Sequence, residues 1–209
     1  MLYPVLTESR GLMDLSGIWA FKLDNGKGFD EKWYEGPIND TIPMAVPSSY
    51  NDLQEGEDFR EHYGWGFFHR AIRVAAYMST QRIVLRIAAV THIDKIYLNG
   101  TCICEHKGGF LPFEVEINDY LQDGENLLTI AVDNRIDHST LPVGSENGKG
   151  MLSSNMFESK TTKKRNNPNF DFFNYCGITR PVKIYTTPRD YIGDVTLTSE
   201  IDEGSAWVN

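Results

Sequence analysis

The clearest pattern in the chain is an alternation of apolar and polar side chains with a period of two. In residues 15–24, Trp19, Phe21 and Leu23 fall on one face, and smaller or polar residues fall on the other. This period is typical of a β-strand with one buried face. We therefore expect the face that carries Trp19 to lie in a core.

Residues 81–90 show the same pattern. Isoleucine and leucine occupy every second position from Ile83 to Ile87, and Arg82 and Arg86 lie on the other face. One face of this segment is therefore apolar and the other is charged. A half-buried strand is again predicted.

Further short segments typical of strands follow one another, separated by turn residues. They span residues 42–47, 64–74, 93–98, 101–105, 113–117, 126–133, 182–186 and 191–199. Asn99-Gly100 is a strong signal for a two-residue hairpin, and residues 118–121 suggest one helical turn. Short strands without a convincing amphipathic helix predict an all-β fold, specifically an antiparallel β-sandwich.

The strand pattern is interrupted between residues 136 and 168, where Gly, Ser, Asn, Lys and Thr dominate. A connection of this length is unusual in a compact domain and is commonly functional or disordered. A second break falls at Thr187-Pro188. We expect a first domain over residues 1–187 and the truncated start of another over residues 188–209. The second piece is too short to bury a core, so the chain looks cut from something longer.

Composition restricts the class of function. The formal net charge is −9, and Lys and Arg do not gather into a stripe. Nucleic-acid binding is disfavoured because counterion release needs a concentrated basic face. The N-terminus has no signal-peptide pattern, and no apolar stretch approaches the roughly 20 residues that span a bilayer. We expect a cytoplasmic protein.

The cysteine pattern also favours a cytoplasmic protein. Cys102 and Cys104 would lie on one face of a strand, where they are poorly placed to bridge each other, and the third cysteine is Cys176. We expect three reduced thiols, as in the cytoplasm. The cysteines lack a second pair at ligand spacing, so no metal is predicted, and no cofactor is expected.

The densest group of candidate functional residues lies in residues 169–180, directly after the long polar segment. Four aromatic residues alternate there with Asp171, Asn174 and Arg180. Such a stretch is either a wall that faces a ligand or a buried turn held by hydrogen bonds. The residues alone leave both open, and a cap on the turn is the simpler role for Asp171.

Six segments in order resemble the N-terminal part of glycoside hydrolase family 2, most closely the bacterial β-glucuronidases. They are residues 15–21, 46–52, 81–86, 89–92, 106–114 and 171–180. The resemblance implies a jelly-roll sugar-binding domain (galactose-binding-domain-like), followed by an immunoglobulin-like domain and a catalytic TIM barrel. Residues 1–187 would be the jelly roll, and residues 188–209 would begin the immunoglobulin-like domain.

The resemblance also implies an activity, the hydrolysis of β-D-glucuronides with retention at the anomeric carbon. Retention requires two carboxyl groups about 5 Å apart, and in this family both glutamates lie on the barrel. The acid/base glutamate follows an asparagine, but no Asn-Glu pair occurs in this sequence. We therefore expect the chain to contain no catalytic residue and to be inactive alone. The implied partners are the glucuronide, the downstream domains and further copies in a homo-oligomer.

By the same resemblance, Asp171 would contact the bound sugar from outside the barrel. The remaining residues are expected to support the loop: Asn174, Tyr175, Arg180, His92 and His106. Arg180 would pair with a carboxylate or be merely exposed. Phe172, Phe173 and Tyr175 would anchor the loop to the sandwich, and stacking on a sugar ring is the alternative. Alternatives are an autonomous carbohydrate-binding module, a scaffold that packs on the barrel and on neighbouring subunits, or the same region of a β-galactosidase or β-mannosidase.

Overall fold

The computed structural model describes residues 3–146, 164–202 and 204–208. The strands are β1 (Leu12–Asp14), β2 (Gly17–Leu23), β3 (Ile42–Val46), β4 (Trp65–Ile72), β5 (Arg82–Ile87), β6 (Val90–Thr91), β7 (Ile93–Leu98), β8 (Thr101–Lys107), β9 (Phe113–Glu116), β10 (Asn126–Asp133), β11 (Gly144–Glu146), β12 (Asn166–Pro168), β13 (Gly177–Ile178), β14 (Val182–Thr187), β15 (Ser199–Asp202) and β16 (Ser205–Val208). Two short helices, α1 (Tyr50–Leu53) and α2 (Glu57–Arg60), and two 3₁₀ turns, Ala76–Met78 and Asn118–Tyr120, complete the described elements.

Two antiparallel sheets face each other across the core. One has six strands in the order β3-β2-β4-β10-β7-β8, and the other has four in the order β1-β14-β5-β9. The main cluster of buried apolar residues draws on both sheets, for example Trp19 and Phe21 from β2 with Leu85 and Ile87 from β5. The expected all-β antiparallel sandwich is therefore confirmed.

The face of β2 that is buried is also the one expected. Trp19 and Phe21 are 1% and 0% exposed, whereas Ile18, next to Trp19 on the opposite face, is 66% exposed. The Phe21 ring lies 4.5 Å from the ring of Phe68 on β4 and 5.1 Å from that of Tyr50 on α1. These three rings therefore pack α1, which lies next to the candidate site, onto the six-stranded sheet.

The six-stranded sheet is also covered on its outer side. A second apolar cluster joins Trp33, from the long connection between β2 and β3, to Phe67, Tyr97 and Ala131. Phe67 and Phe68 are adjacent on β4, point to opposite faces, and are both fully buried. Strand β4 is therefore buried on both sides, which explains why its sequence does not alternate.

The Asn99-Gly100 hairpin is confirmed. Both residues have positive φ, 51° and 81°, as a two-residue turn of type I′ requires. Leu98 and Thr101 pair across the turn, and the register shifts between Ile96 and Tyr97. The shift leaves one extra residue between Cys102 and Cys104, both of which are free thiols.

Two details differ from the sequence-based expectation. Residues 191–198 form no regular strand, and the pairing begins only at β15, which runs antiparallel to β16. Ile192 and Leu197 are 81% and 73% exposed. Apolar alternation alone does not make a strand without a neighbouring strand to pair with. The second difference is that β11 and β12 pair across the polar connection predicted to lack structure, whose residues 147–163 lie outside the described part.

Candidate functional site

Asp171 lies in the connection between β12 and β13, at a bend of the backbone, and is exposed. Among the described residues, no group donates a hydrogen bond to its carboxylate. A role as a cap on the turn would require such a donor. The carboxylate is thus open to accept hydrogen bonds from a ligand.

The loop is fixed at Asn174, three residues beyond Asp171. The side-chain oxygen of Asn174 lies 2.5 Å from His92 Nε2, and its side-chain nitrogen donates to the main-chain oxygen of Asn134 at 3.1 Å. Asn51 Nδ2 donates to the main-chain oxygen of Asn174 at 2.8 Å. Asn174 is therefore held from three directions.

The loop then continues into a second set of hydrogen bonds. The main-chain nitrogen of Cys176 donates to Ser49 Oγ at 3.1 Å and to Asn51 Oδ1 at 3.0 Å. The main-chain oxygen of Cys176 accepts from the main-chain nitrogen of Tyr50 at 2.9 Å. This set attaches the loop to the N-terminal end of α1.

Thr91 contributes a third attachment. Its hydroxyl donates to the main-chain oxygen of Tyr175 at 2.7 Å and accepts from the main-chain nitrogen of Gly177 at 3.1 Å. Gly177 has a φ of +125°, and a Cβ there would lie 3.1 Å from the main-chain oxygen of Ser48. Glycine at this position is what permits the close approach.

His92 is 1% exposed, and burial lowers the pKa of its imidazole. The ring is therefore neutral at pH 7. Nε2 carries the proton, because the side-chain oxygen of Asn174 can only accept. The main-chain oxygen of His92 accepts from the nitrogen of Gly108 at 2.9 Å, and a Cβ on Gly109 would lie 2.9 Å from His92 Nδ1. His92 thus packs closely between the Gly108-Gly109 turn and Asn174.

The aromatic residues of the loop are located differently from the expectation. Phe170, Phe173 and Tyr175 are 58%, 48% and 46% exposed, and only Phe172 is half-buried. Their rings contact one another, with 4.9 Å between the centroids of Phe173 and Tyr175. The aromatics therefore do not anchor the loop by inserting into the sandwich. Main-chain hydrogen bonds hold the loop instead, including those of Tyr175.

Arg180 forms no ion pair with a carboxylate in the described part of the chain. It is exposed, and Nη1 donates to the main-chain oxygen of Phe110 at 3.4 Å. The Phe110 ring in turn lies 6.2 Å from the His92 ring, edge to face. Arg180 therefore contacts the turn that packs on His92, through a main-chain acceptor.

His106 belongs to a separate pair. Its Nδ1 lies 3.1 Å from Oδ2 of Asp94, a fully buried residue that sequence reasoning missed, and its ring stacks on Phe113 at 3.9 Å. Burial raises the pKa of Asp94 to about 8 and lowers that of His106. At pH 7 the pair is therefore uncharged, with the protonated Asp94 donating to the imidazole.

This pair leads to a prediction for the replacement Asp94→Asn. Because the folded pKa of Asp94, about 8, lies above the ordinary value of about 3.9, its contribution is complete below pH 4 and is lost as the pH rises to 8. The introduced asparagine cannot ionise. The stability of the variant relative to the wild type should therefore rise between pH 5 and pH 8, by on the order of 4 kcal/mol. Urea denaturation at several pH values measures the difference.

The control for that experiment is Asp119→Asn, at an exposed position of a 3₁₀ turn. It should leave the pH dependence of the free energy of unfolding as in the wild type. If the difference between Asp94→Asn and the wild type were constant from pH 5 to pH 8, Asp94 would be ionised in the folded protein throughout.

Within the described residues, no three His, Cys, Asp or Glu side chains are grouped to hold a metal ion, and no helix is long and apolar enough to cross a membrane. The three cysteines are unbridged, and burial raises the pKa of each thiol, that of Cys176 to about 12.

Comparison with known proteins gives consistent matches. Residues 12–188 match the family model described as glycosyl hydrolases family 2, sugar binding domain. The β-glucuronidase of Paenibacillus borealis is 39% identical over 218 residues, which cover 100% of this chain and 34% of that protein. The chain therefore spans about a third of the length of the relatives it matches.

Solved structures agree. A β-glucuronidase of an uncultured Clostridium sp. superposes with a TM-score of 0.86 at 44% identity, covering 100% of this chain and 34% of that one. The Bifidobacterium dentium β-glucuronidase, complexed with coumarin-3-O-glucuronide, superposes with a TM-score of 0.88 at 43% identity, covering 96% and 34%. The fold and the match over residues 12–188 show that this chain belongs to glycosyl hydrolases family 2, of which it carries the sugar-binding domain.

Proposed function

We propose that the chain is the non-catalytic N-terminal region of a retaining β-glucuronidase, and that Asp171 contacts the sugar in the complete enzyme. The observation that supports this proposal is a contrast within the loop. Asp171 has an exposed carboxylate to which no described residue donates a hydrogen bond, whereas Asn174, three residues further on, is held by several hydrogen bonds. The relatives at 35–45% identity, all β-glucuronidases by name, support the choice of substrate.

The chemistry of Asp171 suits the role. A carboxylate accepts hydrogen bonds only, and its two oxygens match two neighbouring sugar hydroxyls. Holding the loop in advance reduces the entropy lost when the sugar is bound. The exposed rings of Phe170, Phe173 and Tyr175 lie on the same loop and are available to pack on the catalytic domain or on the substrate.

The catalytic residues themselves belong elsewhere in this proposal. The retaining mechanism needs a nucleophile and an acid/base carboxyl group about 5 Å apart. The Asn-Glu pair that the family uses is absent from the sequence. We propose that both glutamates lie on a downstream barrel and that the 209-residue chain alone does not hydrolyse glucuronides.

We also propose a division of the chain, with the sandwich over residues 1–187 and the opening of an immunoglobulin-like domain over residues 188–209. The family match ends at residue 188, which fits this boundary. The exposed apolar side chains of Ile192, Leu197 and Ile201 would be covered by later strands of that domain. A cytoplasmic homo-oligomer completes the proposal, and the unbridged cysteines fit such a location.

The test is hydrolysis by the complete protein that contains this chain. Release of 4-nitrophenol from its β-D-glucuronide should be far faster than from the β-D-galactoside or the β-D-mannoside. The isolated chain should release none from any of the three. Preference for a neutral sugar would overturn the assignment of the substrate, and hydrolysis by the isolated chain would overturn its non-catalytic role.

Calorimetry separates this proposal from an autonomous carbohydrate-binding module. The isolated chain is expected to give no heat of binding with millimolar glucuronate or an aryl glucuronide, because one exposed carboxylate offers too few contacts. Saturable heat would favour the module. An assembly of the isolated chain that persisted in size-exclusion chromatography would instead favour a scaffold.

A further inference from the structure

Asn134 follows the last residue of β10 and is 2% exposed. Its main-chain nitrogen donates to the oxygen of Gly64 at 3.1 Å. Its side-chain oxygen accepts from the nitrogen of Gly64 at 2.9 Å, and its side-chain nitrogen donates to the oxygen of His62 at 2.7 Å. Three hydrogen bonds therefore fix Asn134 to the turn that precedes β4.

The remaining polar group of Asn134 is its main-chain oxygen, and two side chains share it. Asn174 Nδ2 donates at 3.1 Å and Asn166 Nδ2 at 2.9 Å. Asn174 belongs to the loop of Asp171, and Asn166 is the first residue of β12. One acceptor thus receives hydrogen bonds from both ends of the short segment that contains Asp171.

The two donors are themselves held. Asn166 accepts at Oδ1 from the main-chain nitrogen of Ile136 at 3.0 Å, and Asn174 lies 2.5 Å from His92 Nε2. Residues 166 and 174 are eight positions apart, with Asp171 between them. Residues 166–174 therefore form an arch, and side chains at its two ends donate hydrogen bonds to the same main-chain oxygen of Asn134.

We propose that Asn134 is a positioning residue for Asp171: it sets the place of the shared oxygen and so the place of the arch that presents the carboxylate. The inference rests on the proposed function, in which Asp171 contacts the sugar. The side chain of asparagine fits because it offers one acceptor and one donor at short reach. Aspartate lacks the donor for His62, and alanine lacks both groups.

Hydrogen exchange tests the positioning without reference to activity. In Asn134→Ala, amide exchange in residues 169–176 should be at least about 10-fold faster than in the wild type, because local opening of the arch costs less free energy. Exchange in β5 and β14 should change much less. Unchanged protection in residues 169–176 would overturn the proposal.

The matched control is Thr129→Ala on β10, the strand that ends directly before Asn134. Thr129 is fully buried, and its hydroxyl lies 3.5 Å from His69 Nδ1, on the outer side of the sheet. This variant should weaken the protein without selective loss of protection in residues 169–176. If Thr129→Ala loosened the arch as much as Asn134→Ala, the effect would be general destabilisation and the proposal would fail.

A double-mutant cycle in the complete enzyme tests the functional part. Asn134→Ala alone should lower kcat/KM for an aryl glucuronide by about 10-fold or more, since a misplaced group loses its contact. In the Asp171→Ala background, Asn134→Ala should lower kcat/KM by no more than about a further 2-fold, because the carboxylate that Asn134 positions is already absent. Independent, multiplying effects would overturn the link between the two residues.

Two further outcomes are informative. If Asn134→Ala does not fold, Asn174→Ala removes the donor of the same hydrogen bond at a half-buried position, and the same loss of protection is expected. Absence of that loss would overturn the proposal. If the wild-type complete protein does not hydrolyse glucuronides, the proposed function fails, while hydrogen exchange still decides whether Asn134 positions the arch.

Discussion

Replacing Asp171 by alanine in the complete enzyme is expected to lower kcat/KM for a β-glucuronide by roughly 100- to 10,000-fold. A hydrogen bond to a charged group contributes about 1.5 to 3 kcal/mol, and each 1.4 kcal/mol corresponds to about a factor of ten. The carboxylate would lose two such bonds. Steady-state kinetics with an aryl glucuronide measures the loss.

Two further variants are compared with Asp171→Ala. Asp171→Asn keeps the shape and one acceptor oxygen, so its loss should be smaller than that of Asp171→Ala. Asp123→Ala changes an exposed aspartate beyond the opposite end of β10 from Asn134 and should leave kcat/KM as in the wild type. Near-normal turnover and affinity of Asp171→Ala would rule out sugar contact by this residue.

Replacing Phe21 by alanine should give the largest loss of stability among the changes considered. Phe21 is fully buried and packs on Phe68 and Tyr50, with ring centroids 4.5 and 5.1 Å away. Truncation of a buried phenylalanine costs about 3 to 5 kcal/mol, a large part of the roughly 5 to 15 kcal/mol that stabilises a domain. The midpoint of urea denaturation of the chain measures this.

The control lies on the same strand. Ile18→Ala changes a side chain that is 66% exposed, so the free energy of unfolding should change by no more than about 0.5 kcal/mol. Equal losses for the two variants would mean that β2 does not bury its Trp19-Phe21 face as described.

The fold was predictable because core side chains recur at every second position in several strands. In β2 the core side chains alternate with smaller or charged ones, so the period of two is visible in the sequence. Strand β5 shows the same period, but the prediction that it is half-buried was wrong, because Val84 and Arg86 on its other face are also buried. Strand β4 carries a different signal. Its two adjacent phenylalanines are both buried, since a second cluster covers the outer face, and only length and aromatic content indicate a strand there.

The candidate site was predictable only in part. Asp171 and His92 came from resemblance, and the structure places His92 against Asn174, near Asp171 in the chain. Asn51 and Asn134 were missed, because each acts through a partner far along the chain: Asn51 contacts Asn174 across 123 positions. Single asparagines at strand and helix ends carry no periodic signal. The expectation that the loop aromatics are buried was also wrong, because the apolar character of a side chain does not show whether the core has space for it.

The placement of β14 has a consequence for synthesis on the ribosome. The six-stranded sheet uses only residues 17–133, whereas the four-stranded sheet has β14 (Val182–Thr187) at its centre, between β1 and β5. Leu12 pairs with Tyr185, so the first strand waits for nearly the whole chain to emerge. The four-stranded sheet therefore assembles only after Thr187 has emerged, and until then β1 and one edge of β5 lack β14 as a pairing partner, which leaves them open to aggregation.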